Sequence, residues 1–249
     1  MVLHALALAA VAAWCFVTAL AGGLVGLVLG NIRLPALLLI SSSPAAGAGA
    51  NIGVSGVAAS TAAITQLRAG RIHWRVFRWM APPSVVGAVL GGLVSGALPG
   101  TVLLAVIGVL LLGFGVDLLR RREPTRRRDQ LNIPAAVLSG GLIGFLGGMV
   151  GLILGSLRMP ALLRFVGEEP VRAVGTNLLV GVFVGIAGVV GHAPSGIDWV
   201  AFAIGAAASV PGALLGARLT GRLGERQLLR AVGIVLLFAG TVTLVQAAL

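Results

Sequence analysis

With 249 residues, 58% hydrophobic and 10% charged, the chain has too little polar surface to cover the core of a soluble domain of its size. Its net charge of +11 rests on 18 basic residues, all arginine, most of them grouped between long apolar runs; this points to membrane topology before nucleic acid. A single cysteine, Cys15, excludes an intrachain disulfide and a cysteine metal cluster.

Apolar runs of about 20 residues, enough to cross the hydrocarbon layer, recur along the chain. The first predicts a helix over 3–29. No Lys or Arg precedes it and it runs on into a repeat unit, so it reads as structure and not as a cleaved signal peptide. A short helical piece over 34–42 follows, then helices over 45–66, 76–98 and 101–119. After an arginine-rich linker the pattern restarts with 133–155, a short piece over 159–165, and helices over 170–191, 199–223 and 226–248. The 38 glycines suit such a bundle, because small residues let membrane helices approach closely.

The restart is a repeat. Residues 23–38 and 148–163 lie 125 positions apart and share eleven of sixteen residues, among them Arg33/Arg158 and Pro35/Pro160. The same offset aligns Ile72 and Trp74 with Ile197 and Trp199, and 84–91 with 209–216; with one residue of slip, Ala50-Asn51 aligns with Thr176-Asn177. The units expected are a first transmembrane repeat over 1–120, a basic cytoplasmic linker over 121–131 and a second repeat over 132–249.

Charge sets the orientation of the halves. Arg68, Arg71, Arg75 and Arg78 surround one loop of half one, whereas its counterpart over 193–198 has no arginine. The next turn reverses this: Pro99-Gly100 is uncharged, and its counterpart carries Arg218, Arg222, Arg226 and Arg230. Basic loops stay in the cytoplasm, so the halves read as oppositely oriented. The fold class expected is an all-α polytopic membrane protein of two inverted repeats. Each repeat has three full transmembrane helices plus a broken, re-entrant element, over 3–42 and over 133–165. The linker then lies in the cytoplasm and both termini lie outside, with the cell inner membrane as the location. Eight full spans in parallel repeats is the rival count, and it sets one second-half loop against the basic-inside rule.

The repeated motif supplies the first candidate site. Gly30 and Gly155 loosen a helix, Pro35 and Pro160 lack an N–H, and the residue before proline is pushed from the helical region. The expectation is a break at each motif, with a new short helix starting at Pro35 and at Pro160. Helix N-termini attract anions, and Arg33 and Arg158 add planar donor forks suited to oxyanions. The bland alternative is an arginine that snorkels to the headgroups. Asn31 and Ser156 lie inside the motifs; Asn51, Thr176 and Asn177 start the next helix in each half and offer hydrogen bonds to a substrate oxygen, or between helices. Ser55, Ser60, Thr61 and Thr65 line one helix, as a polar path or bonded back to their own backbone. The four tryptophans fall mostly near helix ends, as an interfacial belt does.

All seven acidic residues fall in loops or near helix ends, which argues against a cation pathway or a carboxylate relay. No buried acid is expected, so a coupled proton would travel on the substrate. No metal-ligand set, catalytic triad or phosphate loop stands out, so the chain reads as a non-enzyme without cofactor or metal.

The glycine-rich approach to each x-Pro-x-Leu, the run Ala173-Val174-Gly175-Thr176-Asn177, and the turns Gly70-Arg71-Ile72-His73-Trp74 and Gly196-Ile197-Asp198-Trp199 resemble the TauE/SafE sulfite exporter family across nearly the whole chain. The resemblance implies an integral membrane exporter of sulfite or organosulfonates. Two departures fall where a pocket is expected: the positions before the prolines, commonly with a Gly-Gly-Gly run in the family, read Gly30-Asn31-Ile32-Arg33 and Gly155-Ser156-Leu157-Arg158 here, and the usual Gly-Thr-Ser is Gly175-Thr176-Asn177 and, in the first half, Gly49-Ala50-Asn51. The function expected is therefore export of a small sulfur oxyanion by alternating access. A passive anion channel and a non-transporting assembly partner are the alternatives. The partners expected are a small anion and the lipid bilayer, with a coupled proton and a homodimer as options, and no nucleic acid.

Overall fold

A computed structural model describes residues 2–94, 99–120, 131–192 and 196–248, which contain helices and no strand. Half one holds α1 (Val2–Val25), α2 (Gly30–Leu38), α3 (Pro44–Arg68), α4 (Trp74–Leu93) and α5 (Gly100–Arg120). Half two holds α6 (Ile133–Val150), α7 (Gly155–Ala161) with a π-helical continuation (Leu162–Val166), α8 (Pro170–His192), α9 (Trp199–Thr220) and α10 (Glu225–Ala248). Seven helices are long and apolar enough to cross a membrane. The eighth long helix, α3, has 25 residues but is diluted by Gly, Ser, Thr and Asn. This is a multi-pass helical membrane protein. The linker over 121–130, residues 193–195 and both end residues lie outside the described residues.

Local chemistry starts several helices. Ser43 Oγ accepts from Ala46 N at α3, and Asn132 Oδ1 accepts from Ala135 N at α6, each with a proline in the first turn, where its missing N–H costs nothing. His73 Nδ1 accepts from Val76 N at α4, and Asp198 Oδ1 accepts from Ala201 N at α9. These last two caps occupy equivalent places in the repeat.

The halves interlock rather than pack as separate bundles. α1 runs parallel to α9: Gly212 lies against the Phe16 carbonyl, Gly216 against that of Leu20, and the Thr220 hydroxyl donates to Leu24 O at 2.9 Å. α6 runs parallel to α4 in the matching way, with Gly144 on the Ser84 carbonyl and Gly148 on that of Ala88. Matching helices of the two halves instead meet head to tail. On α5 and α10, Gly108 faces Gly240 while Gly115 faces Gly233; on α3 and α8, Gly56 faces Gly185 while Ile52 reaches Gly188. Lipid gives no hydrophobic drive between helices, so such close backbone approach through small residues supplies the packing. The larger apolar side chains on the outside, Leu93, Ile186 and Val190 among them, are left exposed.

These directions gather the ends of α1, α3, α5 and α9 with the starts of α4, α6, α8 and α10. Every described arginine except Arg33 and Arg158 lies at or near that end. Among the described residues, the opposite end carries Asp198 and no arginine.

Each half contains one hairpin that returns to its starting end. α1 stops at Gly26, whose φ of +73° suits only glycine, and Leu27 N donates back to Gly22 O at 2.9 Å. α2 then leads back until Ser42 N donates to Asp198 Oδ2 at 2.8 Å. α6 stops in the same way at Gly151, with φ of +74°, and α7 and its continuation return until Asn132 N donates to Val166 O at 3.0 Å. The short helices begin at Gly30 and Gly155, four residues before the expected pieces over 34–42 and 159–165 and five before Pro35 and Pro160. Glycines in the left-handed conformation make the breaks, and three residues outside regular structure follow each. Pro35 and Pro160 therefore sit inside helices, not at their first positions.

Candidate anion-binding site

α2 carries Arg33 into the interior with 2% of its surface exposed. Nε donates to Asn51 Oδ1 at 3.2 Å, and Nη2 donates to Ser55 Oγ. Asn51 and Ser55 are one turn apart on α3, so both face α2. Asn51 Nδ2 in turn donates to Gly30 O at 3.1 Å, and any side chain at Gly30 would strike Ser55 Oγ. Pro35 cannot donate to Asn31 O, and Gln246 Nε2 of α10 fills that gap at 3.0 Å. Asn31 Nδ2 donates to Thr243 Oγ1 at 2.8 Å, and the Trp14 indole donates to Ile32 O at 3.2 Å, so Trp14 belongs to the interior and not to the interfacial belt. Arg33 is thus a clasped cation within a network of polar groups.

The second copy keeps the scaffold and omits the clasp. Asn177 Nδ2 donates to Gly155 O at 2.8 Å, as Asn51 does to Gly30 O, and also to Gly26 O at 2.6 Å, which ties the two breaks together. Gly155 packs against the backbone of Val28. Arg158 is fully buried, yet Nε and Nη1 have no partner; Ser156 Oγ and Asn177 Oδ1 are also buried without one. The position that matches Ser55 is Gly181, one turn beyond Asn177, and the position that matches Thr243 is Leu118, also buried. A buried polar group without a partner costs roughly 1–3 kcal/mol, and more when it is charged. Two N–H groups of one arginine left so are the largest unmet demand in the described interior.

Of the residues expected at the site, Arg33, Asn51 and Gly30 come together at one motif, and Arg158, Ser156, Asn177 and Gly155 belong to the other. Asn31 turns to α10. Thr176 accepts from His73 N at 3.0 Å and serves the arginine-rich end. Ser55 takes a direct role, whereas Thr61 and Thr65 bond back to Val57 O and Thr61 O. A cavity of about 10 Å³ lies between Arg33, Ser55, Thr18, Val28 and Leu178, space for about one water. Sequence reasoning passed over Thr243 and Gln246. Their polarity inside an apolar terminal helix was the available signal. It also expected no buried acid, and Glu168 corrects this: it lies in the loop before α8 with 2% exposure. Its place just outside a helix gave no hint of burial, because the neighbouring loop that covers it comes from half one.

The repeat thus brings two buried arginines on broken helices into one helical membrane bundle, and residues 11–243 match the family described as sulfite exporter TauE/SafE. The chain belongs to the TauE/SafE family. Two curated relatives, each named a probable membrane transporter protein, come from Xylella fastidiosa. The protein of strain 9a5c is 30% identical over 186 residues, covering 67% of this chain and 70% of its own. That of strain Temecula1 is 29% identical over 181 residues, covering 66% and 68%. No solved structure matches. This TauE/SafE member is a membrane transporter, and the family match spans both motifs and both hairpins.

Proposed function

We propose that the chain is a secondary transporter that exports a small sulfur oxyanion, sulfite or an organosulfonate, through the cytoplasmic membrane by alternating access. The observation that carries this reading is Arg158, buried in an apolar interior with Nε and Nη1 unpartnered. An oxyanion supplies acceptors in the plane of a guanidinium. Ser156 Oγ donates to a further anion oxygen, and a protonated or sulfonate-borne donor meets Asn177 Oδ1. The family match supports the substrate class. Arg33 and Asn51 brace the equivalent break across the pseudo-two-fold, with Gly30, Pro35, Gly155 and Pro160 shaping the breaks, while Asn31 and Thr176 are held by Thr243 and His73 outside the shell. The cavity beside Arg33 is too small for a sulfite, which supports a cycle in which the hairpins must move to admit substrate.

The halves, 1–120 and 132–249, are proposed as inverted repeats about an axis in the membrane plane, with 121–131 as the linker. The head-to-tail meeting of α5 with α10 and of α3 with α8 supports this. Arginine at one end supports a cytoplasmic linker and termini outside, in the inner membrane of a bacterium with two membranes.

Thermal stabilisation of purified protein by sulfite, sulfonates, sulfate and carboxylates tests the substrate class by linkage. Sulfite or a sulfonate is expected to raise the midpoint in wild type and not in Arg158→Ala; equal response in both sinks the assignment. In proteoliposomes a carrier shows exchange stimulated by substrate on the far side, and a channel does not. For topology, cysteines replacing Gly70, Pro124, Ser195 and Gly224 are labelled from outside; only Ser195→Cys is expected to react.

A further inference from the structure

At the arginine-rich end, the loop over 167–169 folds under the loop that joins α3 to α4. Glu168 Oε1 accepts from Glu169 N at 3.0 Å, but Oε2 is buried without a hydrogen bond and lies 3.9 Å from His73 Nδ1. The Glu168 side chain is 3% exposed and that of His73 is 22% exposed, so the imidazole stands between the carboxyl and solvent. His73 Nδ1 also caps α4 by accepting from Val76 N at 3.3 Å, which requires its unprotonated form. Asp198 makes the equivalent cap on α9, and its carboxylate is held below the usual range by N–H donors from Ala201 and Ser42. The same structural task is thus given to a carboxylate in one half and to an imidazole in the other.

We propose that Glu168 and His73 form a proton-binding site, in which one proton held between Oε2 and Nδ1 latches the 167–169 loop to the α3–α4 loop. Without the proton, a buried carboxylate oxygen has no donor and Nδ1 serves Val76. With it, the carboxylic acid donates to Nδ1, or imidazolium Nδ1–H donates to the carboxylate; Nδ1 has one lone pair, so either form releases the Val76 cap and closes the 3.9 Å gap. Burial pushes the Glu168 carboxyl up, opposed by His73 from the α3–α4 loop, by the Glu169 backbone N–H and by Arg172 on α8, while the Glu169 carboxylate adds to the rise. Arg172 is shared with Glu169 at 3.8 Å and so does not replace the missing donor. The latch reaches the candidate site through the backbone: His73 N donates to Thr176 Oγ1, next to Asn177, which holds both breaks. Gly175 lies hard against the Arg71 carbonyl, so the loop cannot shift without moving the first turns of α8.

A group whose value is raised on folding stabilises the fold below its ordinary range, and that contribution fades as pH rises through the raised value. The purified protein, with no anion added, is therefore expected to lose thermal stability as pH rises through the raised value of Glu168. Glu168→Gln and His73→Asn, which keeps a capping oxygen, should each lose most of that slope. Wild type should also take up about one more proton per chain than either variant on acidification, and the infrared band of a buried carboxylic acid should vanish in Glu168→Gln. If both variants keep the wild-type slope and proton uptake, the site is overturned. Should Glu168→Gln fail to fold, the slope and proton uptake of His73→Asn decide by themselves. The measurement uses no substrate, so its failure is distinct from failure of the transport reading.

Discussion

The two copies of the motif share a backbone and differ in how they treat the same cation. Arg33 is met by Asn51 and Ser55, and its helix is further tied to α10 by Thr243 and Gln246. Arg158 keeps only the scaffold: its asparagine is spent on Gly155 and Gly26 carbonyls, and Gly181 and Leu118 stand where the first copy has Ser55 and Thr243. The repeat places the pair, and the absence of matching partners in half two leaves two unmet N–H groups in the buried interior. A clasped arginine stabilises; an unclasped one is available to a ligand. The difference teaches that repeat symmetry locates candidate positions, while departures from it assign their roles.

Removing each cation gives the strongest test. Arg158→Ala is expected to lower anion affinity about 10–100-fold for each charge-assisted bond lost, measured as ligand-dependent thermal shift or flux, with the ligand-free midpoint held or raised, since an uncompensated charge is gone. Arg33→Ala is expected to do the reverse: a ligand-free destabilisation of about 2–3 kcal/mol, because Asn51 Oδ1 and Ser55 Oγ are left buried without their donor. Similar ligand-free losses in both variants would break the contrast. Asn177→Ala removes the tie between the two breaks and is expected to cost about 2 kcal/mol, against about 1 kcal/mol for the Gly30 bond lost in Asn51→Ala once the Arg33 effect is separated by the double mutant. Ser55→Gly makes the first copy resemble the second. It is expected to cost about 1 kcal/mol and to add a weaker second anion response from Arg33. Asp198→Asn gives the smallest effect. The lowered carboxylate contributes stability above its ordinary range and loses it as pH falls through its folded value, so the variant should flatten only the acid limb of the midpoint against pH.

Much of the fold was legible before any coordinates. Hydropathy and the offset of 125 marked the long helices and their pairing, because membrane helices must satisfy their backbones internally and must be apolar over their full length. The breaks were placed near the right residues for the wrong reason. The chain turns at Gly26 and Gly151 and not at Pro35 and Pro160, and a proline inside a short helix is tolerated when another donor takes the freed carbonyl, as Gln246 does for Asn31. Of the two uses weighed for Asn51 and Asn177, substrate or helix bonding, the structure displays the bonding between elements. The NH₂ group braces a carbonyl, and the oxygen is used by Arg33 in one half and left open in the other.

The sequence by itself determined that the chain is a helical membrane protein, built twice over, with an arginine and a proline at each equivalent break. These follow from local composition and from covalent limits on glycine and proline, which act within a few residues. Only the tertiary structure decided which arginine is clasped, which carboxyl is buried and which histidine lies beside it. Those properties depend on which side chains other elements bring within about 4 Å: α3 brings Asn51 and Ser55 to Arg33, and the loop before α4 brings His73 to Glu168, contacts that leave no mark on local pattern.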